Sequence, residues 1–304
     1  MKLVTFIAGN ETRWGAVHGD LLSDLNLARA YYLASRGLEA KYLARDLLDF
    51  IQQGEVAWDA AEETLEHLGS RRVDGIVFPS STAKILAPLP NPSKIVAIGL
   101  NYWDHIREHP EVKPPDYPVL FPKFPTSIIG PGEAITWDAG MSNQVDYEAE
   151  LGVVIGKRAR RVSASDALEY VFGYCNVNDV SARDVQMDPK GSSQWTRGKS
   201  FDTFCPIGPY IVTREEVPNP QNLRIRAILN GNTLQDANTK EMINGVAKII
   251  EFVTQGITLM PGDIITTGTP AGVGHFRNPP IYLKPGDTIE VEVEGLGRLT
   301  NPVK

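Results

Sequence analysis

Apolar and polar positions alternate in short blocks from the first residues onward. Leu3 to Ala8 reads as a strand, Gly9-Asn10 as a tight turn, and Arg13 to His18 as the returning strand before a second reversal at Gly19-Asp20. The period then lengthens to that of a helix. Leu43, Leu47, Phe50 and Ile51 recur at helical spacing before Gly54, and Trp58, Ala61, Leu65 and Leu68 do so before Gly69, both glycines being suited to helix C-termini. The pattern predicts a small α+β unit over residues 1–88, ended by Pro88, Pro90 and Pro92, which can neither continue a helix nor donate to a ladder.

Residues 89–304 carry a different rhythm. Short apolar runs (Ile95 to Ile98, Leu151 to Ile155, Tyr210 to Val212, Leu223 to Leu229, Ile264 to Thr267, Thr288 to Glu294) are separated by Gly/Pro turns, which predicts a mainly β domain. One amphipathic helix interrupts it, with Val246, Ile249, Ile250 and Val253 on one face and Gly256 as its stop. The turns Met260-Pro261-Gly262-Asp263 and Lys284-Pro285-Gly286-Asp287 are alike, but two are too few for a repeat architecture.

The run Asp146-Tyr147-Glu148-Ala149-Glu150-Leu151-Gly152-Val153-Val154-Ile155 concentrates the chemistry. A strand's two-residue period puts Glu148 and Glu150 on one face. Glu290, Glu292 and Glu294 also alternate, but with Ile289, Val291 and Val293 opposite them throughout, as in a half-solvated strand; those glutamates are expected to be wet. After Glu150 both faces turn apolar, so this pair stands at the mouth of a strand buried from both sides. Two such carboxylates repel unless neutralised, either by a hard divalent cation (Mg²⁺, Mn²⁺ or Ca²⁺) or by protonation at a strongly raised pKa. The plainer alternative is a surface or salt-bridged pair. Asp179, at the polar end of the strand-like run from Phe172, offers a third oxygen ligand, with a helix N-cap as its ordinary explanation. Asp146 and Asp184 compete for the same role, and Asp184 could equally cap a helix or pair with Arg183.

Composition narrows the partners. With Lys+Arg 30 against Asp+Glu 37 in 304 residues and no basic cluster, nucleic acid is excluded as an expected partner. No apolar run approaches the ~20 residues of a membrane span, and Met1-Lys2-Leu3-Val4 has no export-signal character, so a cytoplasmic location is expected. Cys175 and Cys205 belong to no paired motif and read as packed thiols.

The ordered set Gly99-Leu100-Asn101-Tyr102, Glu148-Ala149-Glu150-Leu151, Asn178-Asp179-Val180-Ser181-Ala182-Arg183-Asp184, Gly198-Lys199-Ser200-Phe201 and Gly268-Thr269-Pro270-Ala271-Gly272-Val273-Gly274 resembles the fumarylacetoacetate hydrolase superfamily from about Pro92 onward. The resemblance implies an α+β fold, a rolled mixed β-sheet catalytic domain with a small N-terminal α+β domain, and a homodimer. It also implies Mg²⁺ or Mn²⁺ on Glu148, Glu150 and Asp179. His105-Ile106-Arg107-Glu108 matches a His-x-x-Glu dyad; on a helix these positions share a face, so Glu108 can orient an imidazole that moves protons near neutral pH. A solvated helical turn is the ordinary alternative. Lys199 matches a lysine that balances an enolate, against the alternative of a surface lysine. Thr269 could present its hydroxyl and loop N–H groups to a substrate carboxylate, and Arg183 and Gln186 fall where relatives line the pocket.

The implied substrate is a small 2-oxo acid and the implied reaction passes through a metal-stabilised enolate. That gives a tautomerase or isomerase, a decarboxylase, or a C–C hydrolase of acylpyruvate or diketo acids. Gln194-Trp195 and Phe276-Arg277-Asn278-Pro279-Pro280 resemble the branch containing mitochondrial oxaloacetate tautomerases, whereas Leu100 stands where acylpyruvases carry arginine. Two other readings fit parts of the sequence. His105-Ile106-Arg107-Glu108-His109 fits an inverted zinc-protease motif, but Pro110 biases His109 away from helical geometry. A non-catalytic protein that binds a metal and a 2-oxo acid would keep the carboxylates without using the dyad.

Overall fold

A computed structural model of the chain describes residues 1–108, 113–188, 190 and 193–304. His109 and Pro110, on which the zinc-protease comparison turns, lie outside the described residues. The first hairpin forms from Lys2–Ala8 and Glu11–His18, and Leu21–Asp24 and Val77–Pro79 extend it. Lys2–Ala8 also pairs with Cys205–Thr213, with Leu3 opposite Ile211. The strands of the first 88 residues and those beyond them therefore form one mixed twelve-stranded sheet.

From Cys205–Thr213 the sheet continues through Val171–Asn178, Ala149–Ile155, Ile264–Thr266 and Ile95–Gly99 to Val119–Lys123. Its two faces are covered differently. On one, Trp14, Leu47, Phe50 and Ala61 of the N-terminal unit pack with Val154, Cys175, Ile207 and Ile264. On the other, Leu151, Val153 and Ile155 meet Ile225, Ala227 and Val291 from a second, four-stranded sheet, together with Val246, Ile249, Ile250 and Val253 of the helix Val246–Gly256. Ala149–Ile155 is thus buried along its whole length. Each large apolar side chain so buried contributes about 1.5–3 kcal/mol, which fixes the frame from which the acidic residues project.

Several local expectations shift. Leu43 is buried but precedes its helix, Leu47–Gln53, which starts after Asp46, whose carboxylate accepts the Asp49 N–H. The helix Leu25–Ser35, capped by Asp24 and burying Leu25, Ala28 and Tyr32, was not read from the pattern. Glu290 and Glu292 are not simply wet: Arg226 meets Glu292 at 2.6 Å, and Arg298 meets Glu292 at 2.7 Å and Glu290 at 3.4 Å. The cause is cross-strand register, which sets Glu292 opposite both arginines. Cys175 and Cys205 are free and buried, and burial pushes both thiols up to about 12, so neither is a reactive thiolate. Among the described residues no helix is long and apolar enough to cross a membrane.

Candidate active site

The sheet register brings the distant motifs to one edge. Ala149 lies opposite Asn178 and Gly152 opposite Thr266, while Ile264–Thr266 runs parallel to Ile95–Gly99. The start of one strand, with Glu148 and Glu150, therefore meets the exits of three others, which lead into Asp179, Gly268-Thr269 and Leu100-Asn101. Backbone bonds lock the join: the Asp179 N–H donates to the Glu148 carbonyl at 2.9 Å, and the Glu148 N–H to Asn178 Oδ1 at 3.0 Å. Leu100 takes a positive φ of 55° where the chain leaves its strand, a conformation that costs an L-residue roughly 1–2 kcal/mol and persists only where packing fixes it.

Glu148, Glu150 and Asp179 are all buried, and each offers a carboxylate oxygen within 4.8 Å of the others. Three buried cations face them. Lys199 Nζ lies 2.8 Å from Glu148 and 2.7 Å from Asp179, and donates to Ser181 Oγ at 2.8 Å. Arg183 Nη1 is 2.6 Å from Glu148, and its Nε donates to Asp146 at 2.9 Å. Lys123 Nζ is 2.6 Å from Asp179 and also donates to the Lys199 carbonyl. With Asp146, four carboxylates oppose three cations, so one negative charge is in excess when all are ionised.

That excess settles on Glu150. Burial pushes the Glu148 carboxyl up, but Lys199 and Arg183 outweigh it and hold it down at about 2. Glu150 moves the other way: burial, then the charges of Asp179 and Glu148, drive it well above the usual carboxylate range. Its Oε2 accepts the Gly268 N–H at 2.9 Å. Among the described residues, no side-chain cation lies within ion-pair distance of it. An all-oxygen donor set holding an uncompensated buried carboxylate fits a hard divalent cation, which would relieve the repulsion.

The dyad forms beside this cluster. His105 and Glu108 end the short helix Trp103–Arg107, with Nδ1 2.8 Å from Glu108 Oε2, and the other Glu108 oxygen accepts the Gly272 N–H at 2.8 Å. The imidazole is buried, with Phe276 5.9 Å away between ring centres. A cavity of about 150 Å³ connects the parts: Glu148, His105, Arg183, Gln186, Lys199 and Thr269 line it on the polar side, and Ile98, Leu100, Phe121, Met187, Trp195 and Phe276 on the apolar side.

The fumarylacetoacetate (FAA) hydrolase C-terminal profile matches residues 94–304. The chain belongs to the fumarylacetoacetate hydrolase family. Within this family of enzymes it is 44% identical over 261 residues to the mitochondrial oxaloacetate tautomerase FAHD2A of Bos taurus, covering 86% of this chain and 80% of the relative. The crystal structure of fumarylacetoacetate hydrolase from psychrophilic Exiguobacterium antarcticum is 37% identical with a TM-score of 0.82, covering 100% of this chain and 99% of that one. The 2-hydroxyhepta-2,4-diene-1,7-dioate isomerase of Mycobacterium marinum is 34% identical with a TM-score of 0.73, covering 100% and 98%.

The remaining motif residues divide by what already holds them. Arg183 and Gln186 are joined at 3.0 Å, both facing the cavity. The Thr269 hydroxyl donates to the Ala149 carbonyl at 2.9 Å and accepts from Gln235 at 2.8 Å, so it has one lone pair left to offer. Of the competing acids, Asp146 is saturated by Arg183 and by the N–H groups of Tyr147, Gly274 and His275. Asp184 accepts from Ser142 Oγ at 2.6 Å and from the Asn143 N–H at 3.1 Å, with no role in the acidic cluster.

Two site residues of this family member escaped the sequence reading. Lys123 is buried on the same face of Val119–Lys123 as Phe121; a lysine in phase with an inward aromatic was the available signal. Gln235 comes from the second sheet: its amide accepts the Ala149 N–H at 2.9 Å and donates to the Pro270 carbonyl at 2.7 Å, bolting that sheet to the site.

Proposed function

We propose that this family member interconverts enol and keto, or positional, isomers of a small 2-oxo acid by moving a proton at the carbon next to the ketone. The observation that carries the reading is the joint exposure of Glu148, Lys199 and the Glu108-held His105 to one cavity of about 150 Å³. The names of the tautomerase and isomerase relatives support the same class of reaction.

Glu148, Glu150 and Asp179 would hold Mg²⁺ or Mn²⁺. Bound there, such an ion supplies positive charge against the oxygens of a 2-oxo acid. The protein's own part is proton transfer and positioning. With Nδ1 committed to Glu108, His105 takes and returns the proton at Nε2, and Glu108 stabilises the imidazolium formed in between. Lys199 and Arg183 fix the Glu148 carboxylate from two sides, and both cations line the cavity where an acid would enter.

The test is stopped-flow absorbance on enol-oxaloacetate with Mg²⁺- or Mn²⁺-loaded protein, with NMR of the products. Enol loss faster than the uncatalysed rate, without pyruvate, is expected. Stoichiometric release of pyruvate would replace isomerisation by decarboxylation, and no acceleration of any 2-oxo acid would end the reading.

A further inference from the structure

The apolar side of the cavity is built around Trp195, which no step of the proton transfer uses. Its six-membered ring lies close against the backbone at Gly99: a Cβ there would come within 2.4 Å of Cζ3 and 2.9 Å of Cη2. Phe121 meets the indole edge-on, with ring centres 5.4 Å apart and planes at 70°. Phe121 also meets the polar residues of the cavity, with Lys199 Nζ over its ring 5.2 Å from the centre.

The indole is also tied to that lysine through the backbone. Trp195 opens the helical turn Trp195–Gly198, and its carbonyl accepts the Lys199 N–H at 3.0 Å. At the other end of the turn, Gly198 is pressed against the neighbouring segment so closely that a Cβ would lie 2.8 Å from the Gln186 nitrogen and 3.0 Å from the Ala182 carbonyl oxygen. Two glycines thus seat the turn against flanking backbone. The wall and the cation therefore sit on one short turn, and the indole is seated on Gly99.

From this geometry we infer that Trp195 is the residue that sets substrate length, closing the cavity to all but short 2-oxo acids. The inference rests on the reading of the cavity as a 2-oxo acid site. A cavity of about 150 Å³ has room for a molecule about the size of benzene. With the carboxylate and 2-oxo group at the Lys199 end, the space left accepts the rest of an acid of about four or five carbons. A longer chain would have to occupy the volume of the indole. Trp195 is itself half-buried, so its removal opens the cavity outward.

The experiment compares wild type, Trp195→Ala, Trp195→Phe and Gly99→Ala, all loaded with Mn²⁺, on oxaloacetate, on acylpyruvates of increasing acyl length and on 2-hydroxyhepta-2,4-diene-1,7-dioate. Trp195→Ala is expected to raise the ratio of kcat/KM for long over short acids by about tenfold or more, the scale of discrimination set by one or two methylenes in an apolar pocket. Trp195→Phe should raise it less. Gly99→Ala, whose methyl must displace the indole from its seat, should also change it. Circular dichroism and Mn²⁺ affinity equal to wild type identify folded variants, and Gly99→Ala decides the matter if Trp195→Ala does not fold. An unchanged ratio in folded variants overturns the length-setting role while leaving the reaction class standing. A wild type that acts on none of the acids overturns the reading beneath it.

Discussion

Replacing His105 by alanine should lower kcat for enol–keto interconversion by about 10²–10⁴-fold, the usual contribution of a positioned proton-transfer group. Divalent-cation affinity should stay at the wild-type value. The separation follows from geometry: the imidazole faces the cavity and is held by Glu108 at 2.8 Å, while the three carboxylates lie on other strands and loops. Glu108→Gln should cost less than His105→Ala, because an amide can still accept from the ring or from the Gly272 N–H but cannot stabilise an imidazolium as a carboxylate does. Stopped-flow kcat beside a Mn²⁺ titration checks both. A His105→Ala variant with wild-type kcat would remove the dyad from the mechanism, and one that also loses the ion would contradict the separation of the dyad from the metal site.

Lys199→Met should destabilise the metal-free protein by about 3–5 kcal/mol, the cost of breaking a buried ion pair by removing one partner. Burial works against the Lys199 ammonium, but Asp179 and Glu148 outweigh it and hold its pKa above the ordinary lysine value. Without it those two carboxylates keep only Arg183 and Lys123, so the loss should fall toward the lower end of the range. Added Mn²⁺ should then restore more stability to the variant than it adds to wild type, where binding at a hundredfold excess over Kd is worth about 2.7 kcal/mol. Denaturant unfolding with and without Mn²⁺ measures this. A variant as stable as wild type, or one indifferent to the ion, would mean that Lys199 does not offset the acidic cluster.

The glutamate pair was legible because it follows local rules, whereas Asp179 stood out from Asp146 and Asp184 only through the family resemblance. Glu148 and Glu150 share a strand face by period alone, and the apolar run after Glu150 announces burial on both sides. The hydrophobic pattern also located half of the strands and the Val246–Gly256 helix, but not Leu21–Asp24, Val119–Lys123 or Asn232–Asn238. What escaped depends on register between distant segments. Lys123 reaches Asp179 only because Val119–Lys123 folds in beside Ile95–Gly99. Gln235 matters only because a second sheet lands on the first. Glu290 and Glu292 looked solvated because their arginine neighbours lie 66 and 8 residues away in the chain. The close seating of Trp195 on Gly99 was equally hidden, since a glycine at a strand end reads as a turn until the indole is placed upon it.

The account stands on the hard-cation site, and calorimetric titration of Mn²⁺ into metal-free wild type and Glu150→Gln tests it most directly. Wild type should bind one ion per chain, and the glutamine variant, having lost the carboxylate that among the described residues has no ion-pair partner, should bind it at least tenfold more weakly (about 1.4 kcal/mol) while remaining folded. Absence of binding to wild type, or equal binding by the two proteins, would contradict the assignment of Glu148, Glu150 and Asp179 as the ligands.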